Sequence, residues 1–423
     1  MIGLEGACSR YVGIVTEVDE LLAAPDDSRL THVFAVGAEG DERFEAGGTG
    51  YAASPTTARS AALGEAIERY AAARPPDSLP LASADELDAA VEPERFALFA
   101  PEQYGSAGFP FVPFTKQTAV RWVTGWSLAD GRSVLLPAQL VYLVWDELAD
   151  GEAAIAHATS SGLACGTSTA EAALAGLLEL VERDAFMLVW RNALSLPLLD
   201  ASAAPELVAW ERRYLDPARL RHDVVDLSDI HRVPAAIAVV HDVGGSLGVG
   251  AAANPEPAVA YRKALAEAYA SHGAARRIRD AGAAGGFRDD FADVVTFADH
   301  IRVYADPDNA PRAAFLTASP VRRALTTVAP LPGSTVDEQL ASLVGRLLQA
   351  GIEPYMVDVT TPDVAELGLH VVRTIAPELC MLDVRQDACF LGGSRLRAAP
   401  VELGLRTREL PLSELNHSPH PFP

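Results

Sequence analysis

One pattern, Glu-x-x-Glu-Arg, occurs twice in this chain, each time inside a long apolar stretch: Glu65, Glu68 and Arg69 in AALGEAIERYAA, and Glu179, Glu182 and Arg183 in LAGLLELVERDAF. Carboxylates at i and i+3 stand on neighbouring turns of one helix face. Ala62, Leu63, Ala66, Ile67 and Tyr70 surround the first pair, and Leu177, Leu178, Val181, Phe186 and Met187 the second. Helices apolar nearly all round are buried, and a buried carboxylate needs a cationic partner. Four carboxylates against Arg69 and Arg183 leave a deficit of two positive charges. A divalent cation is the simplest supplement, and an all-oxygen donor set without histidine points to Mg2+ over zinc or iron. Mg2+ held by carboxylates is normally shared with phosphates that replace its waters, so a nucleotide is expected beside it.

The rest of the composition narrows the partners. With 34 Lys+Arg against 57 Asp+Glu the formal charge is −23 over 423 residues, and 49% of the residues are apolar. Such a chain repels phosphate backbones and anionic bilayers, which argues against nucleic-acid binding and membrane docking. No apolar run reaches the roughly 18 residues of a spanning helix. The N-terminus, MIGLEGACSRYVGIV, lacks the basic and apolar regions of a secretory signal, so cytoplasmic residence is expected. Cys8, Cys165, Cys380 and Cys389 are too scattered for a disulfide framework or a structural zinc site, and read as reduced thiols.

Along the chain, strand-like runs fall at 11–18 and 29–36. The glycines of GGTG (47–50) precede Ser54-Pro55, an N-cap followed by proline at the first helical position, which predicts a helix over 56–73. SSGLACGTST (160–169) opens a second helix over 169–192 in the same way. Both glycine-rich stretches read as loops offering backbone N–H groups to an anion at a helix N-terminus. Ser168-x-x-Glu171 also reads as a capping box. Residues 77–150 form a proline-punctuated, β-rich insert with a strand over 119–126. Strands at 233–243 and 247–253 lead to Asn254-Pro255, the expected cap of a third helix ending near 279, where Lys263 and Glu267 stand at i and i+4. Beyond it VYADPD (303–308), PYMVDVT (354–360) and HVVRTI (370–375) read as strands around a helix over 336–350. Alternation without a composition break predicts one interlocked α/β unit over 1–423: an extended segment (1–45), a catalytic core (46–405) and a proline-rich tail (406–423).

The stretches 47–72 and 160–186, AYRKALAEA (260–268) and the region 357–397 together resemble the YcaO family, ATP-dependent enzymes that activate a peptide backbone amide. The resemblance implies a mixed α/β fold with Glu-bearing helices packed on β-sheets around an inter-helix cleft for ATP and Mg2+. It puts Glu65, Glu68, Glu179 and Glu182 at Mg2+, and Ser60, Arg69, Thr167, Glu171, Arg183, Lys263 and Glu267 at ATP. The chain departs from the family pattern at several of these places. Ala61 stands where serine is usual, with Ser60 displaced by one; Thr49 replaces lysine, Thr167 asparagine, Lys263 arginine and Ala270 glutamine. Lysine keeps the charge of arginine but not its planar fork.

PHPFP (419–423) matches the P-x-P-x-P terminus of the azoline-forming members, the cyclodehydratases of thiazole/oxazole-modified peptide biosynthesis. There the tail reaches the active site, so the Pro423 carboxylate, with His420 as second candidate, is the expected general base. Removal of PHPFP is expected to abolish ring formation and leave the fold intact. The implied reaction converts Cys, Ser or Thr of a ribosomally made precursor peptide into thiazoline or oxazoline rings. Thioamide formation, macroamidine formation and a non-catalytic scaffold stand as alternatives. Because the matching stretches begin so early, capture of the precursor is expected to need a separate leader-recognising partner protein, and the resemblance favours a homodimer.

Overall fold

The structure, a computed structural model, describes residues 3–37, 47–143, 148–242 and 244–422. Its strands are β1 (Val15–Glu20), β2 (Thr31–Gly37), β3 (Gly47–Ala52), β4 (Leu81–Ala82), β5 (Val120–Ser127), β6 (Ser133–Pro137), β7 (Leu163–Gly166), β8 (Leu198–Asp200), β9 (Arg221–Asp226), β10 (Ala235–His241), β11 (Leu247–Ala253), β12 (Arg322–Ala324), β13 (Tyr355–Asp358) and β14 (His370–Ile375). They form three sheets, ordered β1-β2-β3, β4-β5-β13-β14-β7 with β6 on β5, and β11-β10-β9-β8-β12. Three long helices follow three of these strands: α1 (Pro55–Ala72) follows β3, α2 (Thr169–Arg191) follows β7, and α3 (Pro257–Asp280) follows β11. In each case the strand before the helix is the last of its sheet. The fold thus repeats one unit three times, an end strand with a helix lying on it.

The glycines explain how helix and strand come so close. A Cβ on Gly48 would meet the Ala62 carbonyl oxygen at 2.1 Å, and one on Gly50 the Ala58 oxygen at 1.8 Å. In the third unit Gly248 and Gly250 press on the backbone of Ala268, both at 2.4 Å. GGTG is therefore not an anion-cradling loop before a helix; it is a strand paired with β2, glycine-rich because α1 lies against its backbone. The same correction holds for SSGLACGTST, whose LACG is β7, paired with β14.

The helix starts follow the sequence. Ser54 Oγ accepts from the Thr57 amide at 3.4 Å with Pro55 in the first turn, and Ser168 Oγ accepts from the Glu171 amide at 3.2 Å. The third helix begins two residues later than expected, at Pro257, and Asn254 Oδ1 instead ties the preceding turn by accepting from the Glu256 amide at 3.0 Å. VYADPD is no strand. Thr296 and Asp299 form a capping box that starts helix α4 (Phe297–Ala305), and a 3-10 helix follows it at Pro307–Thr317.

The tail is irregular, as proline dictates, yet enclosed. Trp190 Nε1 donates to the Ser418 carbonyl at 2.9 Å, Tyr304 Oη to that of Pro419 at 2.7 Å, and Phe422 is fully buried 5.0 Å from the Phe186 ring. Cutting off residues 419–423 would therefore remove core, which corrects the expectation that the fold would not notice. Among the described residues all four cysteines are free, and no helix is long and apolar enough to cross a membrane.

Candidate functional site

The end strands of the three sheets carry N–H groups that no neighbouring strand takes, and a buried N–H must find an acceptor. Glutamates supply it. Glu65 accepts from the Thr49 amide at 2.6 Å and Glu267 from that of Ala251 at 2.8 Å, which ties the first and third helices to the strand before them, and Glu179 accepts from that of Gly162, the residue just ahead of β7, at 3.2 Å. Glu68 accepts from the Cys165 amide at 2.7 Å and Glu182 from that of Ala253 at 3.0 Å, which ties each helix to the strand of the next unit. In α3 the position that would make the third cross-link holds Ala270. Three units are thereby joined in series by carboxylates, with the free end of the series at Ala270.

The charge balance of this hub is uneven. Arg69 pairs with Glu65 at 2.5 Å and donates to the Gly47 carbonyl at 2.8 Å. Arg183 lies 3.4 Å from Glu179 and 3.5 Å from Glu182. Among the described residues its Nε and Nη1 have no hydrogen-bond acceptor, and its guanidinium covers the Phe422 ring at 4.1 Å from the centroid. Two arginines do not neutralise five carboxylates. Burial, helped by the like charges of Glu65 and Glu179, pushes Glu68 up to about 8. Burial also raises Glu267 to about 8, and Glu179 above its ordinary value.

The carboxylates open on a cleft of about 260 Å³, close to the lower end of the ~300–1,000 Å³ usual for small-molecule sites. Thr49, Glu65, Glu68 and Arg69 line it from the first unit, Ser160, Ser161, Glu179 and Arg183 from the second, and Glu267 and Ser271 from the third. Phe297 and Ile301 of α4, with Leu382, close it. The donor chemistry fits a hard dication: oxygen only, with surplus negative charge. The unmatched donors of Arg183 fit a polyanion. The glutamates are turned onto backbone amides and not onto one point, and among the described residues no group of three or more His, Cys, Asp or Glu is arranged to hold a metal ion.

The structure thus brings Glu65, Glu68, Arg69, Glu179, Arg183 and Glu267 to one cleft. Glu182 lies behind them, 8% exposed, bound to β11 and Arg183. Ser60, Thr167, Glu171 and Lys263 are exposed and do not line the cleft. Glu171 accepts from the Thr167 amide at 2.8 Å and its hydroxyl at 2.6 Å, so capping accounts for it. His420 is fully enclosed, stacked on His300 at 4.0 Å with Nε2 2.6 Å from the Asp383 carbonyl; burial, with His300 beside it, holds it well below its ordinary value. Pro423 lies outside the described residues. Tyr51, Ser161 and Ser271, which face the cleft, carry no motif of their own. Tyr51 was nevertheless reachable, two residues from Thr49 on a strand whose alternate side chains share a face.

A family model described as YcaO cyclodehydratase, ATP- and Mg2+-binding, matches residues 49–380. An uncharacterized protein of Methanothermobacter thermautotrophicus is 26% identical over 223 residues, 52% of this chain and 55% of that protein. An uncharacterized protein from the tfuA 3′ region of Rhizobium leguminosarum bv. trifolii is 28% identical over 344 residues, 76% of this chain and 74% of its own length. Among solved structures, a heterocyclase in complex with substrate and cofactor matches with a TM-score of 0.81 at 24% identity, over 99% of this chain and 56% of that one. The heterocyclase TruD matches with a TM-score of 0.67 at 26% identity, over 86% and 50% of the two chains. YcaO from Methanopyrus kandleri bound with AMPPCP and Mg2+ gives 0.58 at 20% identity, over 86% of each. The chain spans about half the length of the archaeal relative and of the two heterocyclases.

Proposed function

Because the chain belongs to the YcaO family, we propose that it is an ATP- and Mg2+-dependent cyclodehydratase that forms thiazoline or oxazoline rings in a ribosomally made precursor peptide. One observation carries the reading: desolvated carboxylates in surplus face an arginine with unmatched donors inside a single cleft. Glu65, Glu68 and Glu179 would hold Mg2+ with Glu182 behind them, and Arg69, Arg183 and Glu267 would border the nucleotide. Bound Mg2+ supplies charge neutralisation at the phosphates.

Chemically, a Cys thiol or a Ser or Thr hydroxyl adds to the preceding amide carbonyl. The resulting oxygen is a poor leaving group until it takes the γ-phosphoryl group, and loss of phosphate with the amide proton then closes the C=N bond. Arg183 is suited to stabilise charge on the transferring group, since its Nε and Nη1 make no hydrogen bond that would have to break. Residues 419–423 belong to the proposal: Phe422 lies on Arg183, which supports delivery of the tail to the cleft. The base role of Pro423 is carried over from the family resemblance. His420 is the weaker candidate, as both of its surroundings, His300 and the Asp383 carbonyl, are core. A leader-recognising partner protein, a homodimer and a cytoplasmic setting complete the reading.

Incubation with ATP, Mg2+, the leader-recognising partner protein and precursor peptides rich in Cys, Ser and Thr tests it. The expected result is peptide-dependent phosphate release with loss of one water per ring. Phosphate release with gain of sulfur would favour thioamide formation, water loss between an amine and a distant amide would favour a macroamidine, and binding without phosphate release a scaffold.

A further inference from the structure

Arg183 and Ser161 have a second outlook. Besides the acidic cleft they border a small apolar recess of about 40 Å³ whose walls include Leu98, Leu140, Leu180, Ile375, Leu379 and Met381. Residues 379–382 form the partition, with Met381 on the apolar side and Leu382 on the acidic side. That partition is held firmly. The Cys380 amide donates to Asp184 at 2.8 Å, and Asp184 also takes both arms of Arg395 at 2.7 Å and His231 at 2.7 Å. On the opposite wall Thr374 Oγ1 donates to the Gly162 carbonyl at 3.1 Å. Arg373 lines the recess, 3% exposed; it donates to the Thr159 carbonyl at 2.6 Å, and its Nε has no acceptor among the described residues.

Apart from Arg183 and Arg373 the walls offer a phosphate no donors, so the recess suits an apolar group better than an anion. A peptide supplies one. Phosphoryl transfer puts the reacting amide beside Arg183, and the side chain of the residue that supplies the carbonyl then branches one bond from the reacting carbon. On the side of Arg183 away from the carboxylates, that branch meets the recess. Resting on the cyclodehydratase reading above, we propose that the recess seats the side chain of the residue immediately before the ring-forming Cys, Ser or Thr, and that it selects an aliphatic one. Burying such a side chain among leucine, isoleucine and methionine is favourable. A lysine or arginine there would be desolvated against Arg373 and Arg183, so a basic residue is rejected.

The test uses the full chain with ATP, Mg2+ and its leader-recognising partner protein, and synthetic peptides that carry the leader followed by Ala-Gly-Xaa-Cys-Gly-Ala, in which Xaa is Leu, Gly, Asp or Lys. Ring formation with Leu should exceed that with Gly by about tenfold in kcat/KM, the scale on which an apolar pocket discriminates, and Lys should fall below Gly. Met381→Trp, which fills the recess, should reverse the order of Leu and Gly while leaving the melting temperature within a few degrees. A second measurement needs no turnover. With photo-leucine as Xaa, AMPPCP and Mg2+, crosslinks should map to Leu98, Leu180 or Met381. Equal rates for all Xaa, a preference for Asp, or crosslinks elsewhere would overturn the assignment while rings still form. Crosslinks at the recess with no ring from any peptide would instead sink the cyclodehydratase reading and keep the peptide seat.

Discussion

Glu68 accepts a hydrogen bond from the Cys165 amide at 2.7 Å across 97 residues of sequence, and through it helix α1 is fastened to the end strand of a different sheet. The same carboxylate faces the cleft. It therefore has a structural task, satisfying an N–H, and stands among groups suited to a metal. Glu182 repeats the bond to Ala253 one unit on, at 3.0 Å, so the hub that positions the site is assembled from its own acidic groups.

The two tasks can be separated at Glu68. Glutamine keeps an acceptor for the Cys165 amide and removes a carboxylate that burial already disfavours as an anion. Glu68→Gln should be at least as stable as the parent in urea, yet lose the thermal stabilisation given by Mg2+ with AMPPCP. Glu68→Ala leaves the amide unpaired and should cost about 1–3 kcal/mol. Equal Mg2+-dependent shifts in Glu68→Gln and the parent would remove Glu68 from the metal site.

The close approach of β3 and α1 gives a paired test of packing. In Gly50→Ala the new Cβ would lie 1.8 Å from the Ala58 carbonyl oxygen, backbone that cannot step aside. The loss should reach or exceed the ~1–3 kcal/mol of ordinary overpacking. Gly64 sits within the same helix with nothing within 4 Å of its added Cβ. Gly64→Ala should gain about 0.5–1 kcal/mol from helix propensity. Urea midpoints moving in opposite directions would establish the contrast.

Acid should unsettle the fold at His157. Its ring packs on Phe390 at 4.6 Å and Phe111 at 5.9 Å, and neither nitrogen has a hydrogen-bond partner among the described residues. Burial pushes it down from 6.5 to about 4. A base with a depressed folded value contributes its full stability above pH 6.5, and that stability is lost as pH falls from 6.5 to 4, by at most about 3 kcal/mol. His157→Phe keeps a ring and removes the proton site, so its stability should fall less between pH 6.5 and 4. Parallel pH curves for parent and variant would exclude this origin.

What could be read from residues alone was what is local. The paired glutamates declared themselves because a three-residue spacing inside an apolar run has one helical meaning, and Ser54 and Ser168 declared the helix starts by their caps. GGTG looked like a loop because its glycines answer to the Ala58 and Ala62 backbone, which pattern along one segment does not reveal. VYADPD looked extended because Val303 and Tyr304 favour strands, while the capping box that decides the matter begins seven residues earlier, at Thr296. Ser161, Arg373 and Met381 meet only after distant segments have folded, so their shared recess had no signature to find.

The contact between Phe422 and Arg183 supports the most direct test of the tail. The ring is fully buried and its face lies 4.1 Å from the guanidinium carbon. Phe422→Ala would open a cavity worth about 3–5 kcal/mol and confuse stability with activity. Phe422→Leu keeps most of the apolar burial and deletes the π face, a contribution of about 0.5–2 kcal/mol. Arg183, already paired with Glu179 and Glu182 at 3.4 and 3.5 Å, then loses the ring that fixes the plane of its guanidinium, and its unmatched donors are no longer held toward the phosphates. Phe422→Leu should melt within a few degrees of the parent and lose peptide-dependent phosphate release by roughly tenfold or more, the cost of removing one aligned charge-assisted donor. If the variant turns over at the parental rate, the ring is packing alone and Arg183 holds its place without it.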